Sequence, residues 1–296
     1  MAPVGTHGYG PQGIDSSMIG VSPANTSRRG RLSPTLHLVI GCALLLGACH
    51  PKTDNHAAST PPPADNAQTS YMTPPRVTQA ARLDNGGVSL SGRTDPESRI
   101  RLQSREGPAY GVTAGADGVW TLSMPPLDAL RFLGISEVVG SRSVQSEGYL
   151  VVIPGPGQPA VLLRSGGGSH AIAPAPATPW IATVDFDDGG GAVISGLAKP
   201  NDPVRVTVDG AAAGDARPDA EGRFSVALTT MLRPGLHHVD AQSAAGAGHA
   251  DFAFAPPPAG QSFVGQRQAN DWRIDWLTPG DAPQTTLAFD PPKAGH

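Results

Sequence analysis

Residues 179–228 read PWIATVDFDDGGGAVISGLAKPNDPVRVTVDGAAAGDARPDAEGRFSVAL, and residues 75–124 read PRVTQAARLDNGGVSLSGRTDPESRIRLQSREGPAYGVTAGADGVWTLSM. The two stretches align without a gap at a constant offset of 104 residues. Pro75 meets Pro179, Asp84 meets Asp188, Gly86-Gly87 meet Gly190-Gly191, and Ser91-Gly92 meet Ser195-Gly196. Pro96 meets Pro200, Arg101 meets Arg205, and Ala116-Asp117-Gly118 meets Ala220-Glu221-Gly222, followed by Trp120 against Phe224. A gapless register that also preserves hydrophobic alternation is not explained by a glycine-rich composition. A repeat of this length is a domain duplication, not a solenoid unit.

Each copy predicts short strands joined by turns. Residues 77–83 lead into Asp84-Asn85-Gly86-Gly87 and then 88–91; residues 181–186 lead into Asp187-Asp188-Gly189-Gly190-Gly191 and then 192–195. Asn-Gly and Asp-Gly supply the positive φ angles that tight hairpins need. Residues 100–102 and 204–208 alternate apolar and polar side chains, as half-buried strands do. Trp120 and Phe224 are the expected core aromatics, and 132–139, 149–153, 238–242 and 251–254 complete the two sets. About seven short strands per copy, with turns every 8–12 residues, is the pattern of a β-sandwich.

The motifs Gly196-Leu197-Ala198-Lys199-Pro200, Val206-Thr207-Val208-Asp209-Gly210, Gly222-Arg223-Phe224 and Pro234-Gly235-Leu236-His237 resemble those of bacterial immunoglobulin-like modules. Such modules occur in envelope, adhesin and peptidoglycan-associated proteins. The match covers most of the second copy. It is looser in the first, where Arg105-Glu106 stand in place of Asp209-Gly210. The resemblance implies an all-β chain with two tandem immunoglobulin-like sandwiches, at 75–164 and 179–258. These motifs are turn chemistry, so they specify fold and not activity.

Composition fills in the rest of the layout. Residues 165–178, rich in glycine, alanine and proline, read as a disordered linker. Beyond Pro256-Pro257-Pro258 lies a separate piece, 259–296. In it, residues 271–277 place Trp272, Ile274 and Trp276 on one strand face and Arg273 and Asp275 on the other. Thr278-Pro279-Gly280-Asp281 then turns the chain back into 285–289, making a C-terminal β-hairpin. An isolated hairpin is marginal in water, so this aromatic face must be covered. It either completes or docks on the second sandwich, or it offers Trp272, Ile274 and Trp276 as partner-binding anchors.

Residues 38–49 read LVIGCALLLGAC and follow Arg28, Arg29 and Arg31. A basic segment, a short apolar core and a small-residue cleavage site are the parts of a secretory signal. The apolar run is far shorter than the ~20 residues that span a bilayer. Leu46-Gly47-Ala48-Cys49 resembles the lipobox of bacterial lipoproteins, which implies cleavage after Ala48 and a lipid on Cys49. Residues 1–48 are then signal, with Met1 or Met18 as the start. His50 in place of aspartate favours the outer membrane. Residues 49–74 form a lipidated tether with almost nothing to bury, with a reach of about 28 Å.

The chain carries 21 basic and 25 acidic residues, a net charge of −4. Removing residues 1–48 takes three of the former and one of the latter, leaving −6. That balance argues against nucleic acid as a partner. Both cysteines, Cys42 and Cys49, lie in the signal region, so the mature chain has no disulfide and no cysteine nucleophile. No G-x-S-x-G, H-E-x-x-H or phosphate-binding glycine loop is present. No cofactor is expected, and the chain reads as a non-enzyme; a hydrolase would need a convergent acid, base and nucleophile in a deep pocket. Asp185, Asp187 and Asp188 beside a glycine turn are a weak calcium candidate, with a plain hairpin turn as the simpler reading. His237, His238 and His249 could gather around a metal, although neighbouring strand residues point to opposite faces. The expected function is binding or scaffolding of an envelope protein or glycan from a membrane anchor.

Overall fold

The computed structural model describes residues 72–105, 107–260 and 262–292. Ala48, Cys49, the proposed signal and most of the tether lie outside these residues. The chain is all-β. The first copy supplies β1 (Arg76–Arg82), β2 (Val88–Arg93), β3 (Arg99–Ser104), β4 (Ala109–Thr113), β5 (Val119–Met124), β6 (Arg131–Val139) and β7 (Arg142–Val152). After β8 (Ala160–Leu163) and β9 (His170–Ala171), the second copy supplies β10 (Trp180–Asp187), β11 (Ala192–Leu197), β12 (Val204–Val208), β13 (Ala211–Ala216), β14 (Arg223–Ala227), β15 (Gly235–Ser243) and β16 (Gly246–Phe254). The C-terminal piece adds β17 (Val264–Arg267), β18 (Asp271–Leu277) and β19 (Pro283–Phe289). Among the described residues, no helix is long and apolar enough to cross a membrane.

Both copies fold into the same tandem immunoglobulin-like sandwich. In the first, β1-β2-β5 faces a sheet containing β4-β3-β6-β7; in the second, β10-β11-β14 faces β13-β12-β15-β16. The offset of 104 runs well past residue 124: it carries β6 onto β15 and the start of β7 onto the start of β16. Even a β-bulge repeats, between Val77 and Gln79 in one copy and Ile181 and Thr183 in the other.

The repeated residues are those that the packing demands. Gly92 lies opposite Trp120, and Gly196 opposite Phe224. A Cβ on Gly92 would sit 2.4 Å from the Trp120 ring, and one on Gly196 2.5 Å from the Phe224 ring. A bare strand position therefore receives the core aromatic of each copy. Trp120 packs with Leu90, Ile100, Leu102, Leu133 and Leu150, and Phe224 with Ile194, Val206, Val239 and Phe252.

Each sandwich is then extended by strands that the other lacks. In the first, β8 and β9 continue the sheet beyond β7, giving the order β4-β3-β6-β7-β8-β9. In the second, β19 pairs with β10 and gives the order β14-β11-β10-β19-β18-β17. The expected C-terminal hairpin is present, turning through a Thr278 carbonyl that accepts from the Asp281 amide at 2.9 Å. It completes the second sandwich's sheet.

The segment 165–178, expected to be a disordered linker, is instead built into the fold. Ser169, Ala171 and Ile172 are buried. Ile172 joins the first core, while Ala171 packs with Trp180, Ala182 and Leu197 of the second sandwich. One of its glycines serves close approach: a Cβ on Gly168 would meet Ser195 Oγ at 2.3 Å. The described residues all belong to one compact unit.

Candidate functional site

The strand alternation of β18 places Trp272, Ile274 and Trp276 together, but not on an open surface. They form an apolar cluster with Ala288 of β19 and with Val151, Ile153, Val161 and Leu163 on the outer face of β7 and β8. Ile274 is 0% exposed and Trp276 1%. Ile274 and Trp276 are thus spent on the internal junction between the sandwiches and offer no exposed anchor, while Trp272 is half-buried and packs at the edge of the same cluster. The physical reason lies in the partner strands. Residues 150–153 and 160–163 are apolar without alternation and buried throughout, and a strand apolar on both faces needs cover on both. Phe263 seals the margin of this junction, meeting Phe132 and Tyr149 edge-on at 5.5 and 5.2 Å.

A polar network runs through the same region. The outer side of β10 turns Asp185, 1% exposed, toward Ser169 and β19. Its carboxylate accepts from the Ser169 amide at 2.7 Å, the Ser169 hydroxyl at 2.6 Å and the Thr286 hydroxyl at 2.5 Å. Thr286 Oγ1 in turn accepts from Trp276 Nε1 at 3.0 Å, and Thr183 donates to the Ser169 carbonyl at 2.8 Å. Burial pushes the Asp185 carboxyl up to about 6, against the opposing effect of these hydrogen bonds. On the other face of β18, Asp275 accepts from Arg273 Nε at 3.1 Å and from Thr285 at 2.6 Å. Arg273 also donates to the Ala255 and Pro256 carbonyls, pinning the proline segment.

The calcium candidates are drawn apart in role. Asp185 is consumed by the buried network. Asp187 Oδ1 accepts from the Gly189 and Gly191 amides, both at 2.9 Å, and so closes the hairpin turn. Its conformation is that of a side-chain-capped turn. Among the described residues, no three His, Cys, Asp or Glu side chains gather in a way that could hold a metal. His237 and His238 diverge, as neighbouring strand positions require. His237 packs over Phe252, with Nδ1 2.8 Å from Asp209 and Nε2 2.7 Å from the Arg233 carbonyl. Burial opposes its charged form, yet the Arg233 carbonyl and Asp209 outweigh burial and raise its pKa. His238 stacks near His249 and pairs with Asp251 at 2.6 Å.

Sequence reasoning missed one further feature: a groove on the outer face of the first sandwich, across β3, β6 and β7, where Arg101 and Gln103 stand. The signal was present, since 99–103 alternates polar and apolar, but alternation reveals an outer face and not its shape.

No family model matches the chain, and no curated protein matches it by sequence. Among solved structures it is similar to a biofilm-associated protein BSP domain, with 16% identity over 63% of this chain and 30% of that one, and a TM-score of 0.22. This chain thus spans less than a third of that structure. It is also similar to the central fibronectin-III array of RIM-binding protein, with 14% identity over 68% and 78% of the two chains and a TM-score of 0.26. The adhesin InvE of Yersinia pseudotuberculosis is 15% identical over 70% of this chain and 68% of its own, with a TM-score of 0.20.

Proposed function

We propose that this protein is a lipid-anchored, non-catalytic binding or scaffolding module of the bacterial cell envelope, held at the outer membrane through Cys49. The observation that carries the scaffolding half is the buried junction of Trp276, Ile274, Val151 and Leu163. A junction of this kind holds the surfaces of two sandwiches in a fixed relation, which suits a protein that presents surfaces to a partner. The anchoring half rests on the Leu46-Gly47-Ala48-Cys49 motif behind its apolar run. One acyl chain binds a membrane only marginally, so a stable anchor needs a second signal beside it, such as a further acyl chain.

Intact-mass analysis of the protein purified from cells tests this directly. The expected product begins at Cys49 and carries added acyl mass, and Cys49→Ser loses both that mass and its retention in the membrane fraction. A mature chain without acyl mass on Cys49 overturns the anchor.

A further inference from the structure

The C-terminal strands cover the part of the first sandwich's outer face formed by β7 and β8. The neighbouring part, across β3, β6 and β7, is left as a groove of about 550 Å³. The sheet register sets its lining in rows. Arg101, Ser136 and Gln145 stand side by side, and Gln103, Gly134 and Tyr149 form the next row. Phe132 and Phe263 close that end, with the Arg105 guanidinium 4.4 Å over the Phe263 ring.

Three features define what would fit there. Among the described residues, the lining holds two arginines and no carboxylate, although the chain is net acidic, so the groove favours an anion. Gln103 is engaged within the groove, its Oε1 accepting from Arg101 Nη2 at 2.6 Å and its Nε2 donating to the Ser104 carbonyl at 3.0 Å, which leaves the Gln145 amide and the hydroxyls of Ser136 and Ser143 as groups that both donate and accept. That mixture matches a polyhydroxylated ligand better than a phosphate chain, which calls for dense cationic charge. Gly134 leaves a flat, bare floor beside the aromatic wall. The backbone groups of β3, β6 and β7 are engaged in their ladders, so a peptide cannot be read here by strand addition.

We infer that this groove binds a segment of an acidic polysaccharide of the uronate type. Arg101 and Arg105 pair with its carboxylates, since a guanidinium fork matches that geometry. Gln145, Ser136 and Ser143 bond its hydroxyls, Gln103 orients the Arg101 guanidinium through their 2.6 Å hydrogen bond, and the Tyr149, Phe132 and Phe263 wall takes a sugar face. The inference deepens the binding-module reading and rests on it. Its test uses purified protein and saccharide alone, so it can fail while Cys49 anchoring stands, and the reverse.

Isothermal titration of the full-length protein in detergent would use hexasaccharides of hyaluronan and polygalacturonate, with chitohexaose as the neutral control and hexaglutamate as the peptide control. At least one uronate oligomer binds, and chitohexaose binds about tenfold more weakly or not at all. Arg101→Gln weakens binding by about tenfold, the scale of a lost charged hydrogen bond, while Arg101→Lys retains part of it. Gly134→Val fills the floor and abolishes binding, with the thermal midpoint measured alongside to show that the variant is folded; its new Cβ has only the Gln103 carbonyl within 4 Å, at 3.9 Å. Failure of both uronate oligomers to bind overturns the inference. So does equal binding of chitohexaose, binding of hexaglutamate in their place, or indifference to both Arg101→Gln and a folded Gly134→Val.

Discussion

Asp185 binds a proton more readily in the folded chain than in the unfolded one, because burial lifts its carboxyl from 3.8 to about 6. A carboxyl raised in this way makes its best contribution to stability at low pH. That contribution is lost as pH rises between the two values, from about 4 to about 6. Asp185→Asn removes the titration, and an asparagine can still accept from the Ser169 amide while donating to the hydroxyls of Ser169 and Thr286. Calorimetry from pH 4 to 7.5 is therefore expected to show a wild-type midpoint that gains on acidification relative to Asp185→Asn, with the variant equal or more stable at pH 7. Parallel profiles contradict the role given to this group. Asp271, raised to about 6 by burial, shifts in the same direction, so only the difference between the two proteins isolates Asp185. None of this was legible in the sequence. Asp185 stood beside a glycine turn and looked like a turn aspartate, while its partners lie 16 and 101 residues away. Gly92 and Gly196 were legible, because the duplication printed them twice.

The hairpin β18–β19 was legible as an element, since alternation and a Thr-Pro-Gly-Asp turn both point to it. Its partner was not. The cover it supplies goes to residues 150–153 and 160–163, whose apolar runs signal burial on two faces without saying what buries the second. β4 and β13 also escaped the sequence reading, because edge strands with exposed or half-exposed side chains carry little apolar pattern. Trp276→Ala tests the junction at this scale. Removing a buried tryptophan from such a cluster costs about 3–5 kcal/mol. Urea unfolding reads that loss, and hydrogen exchange is expected to rise in β8, β18 and β19 while β2 and β11 in the two cores stay protected. An unchanged urea midpoint contradicts the placement of Trp276.

For the whole molecule, the duplication explains the two sandwiches, and the unduplicated additions explain how they are joined. β8 and β9 follow the first copy, β17–β19 follow the second, and the two additions pack against each other. The composition of 165–178 suggested beads on a flexible string, because glycine and proline mark mobile linkers and close-packed crossings alike. Contacts settle which applies, and Ser169 and Ile172 are buried. A spin-label distance measurement tests this union most directly, with labels at the exposed positions Thr121→Cys and Thr229→Cys in a Cys42→Ser, Cys49→Ser background. One narrow distance peak, no broader than the labels themselves impose, is the predicted result, widening when Trp276→Ala is added. A broad distribution in the otherwise wild-type chain, unchanged by Trp276→Ala, would mean that the sandwiches move independently.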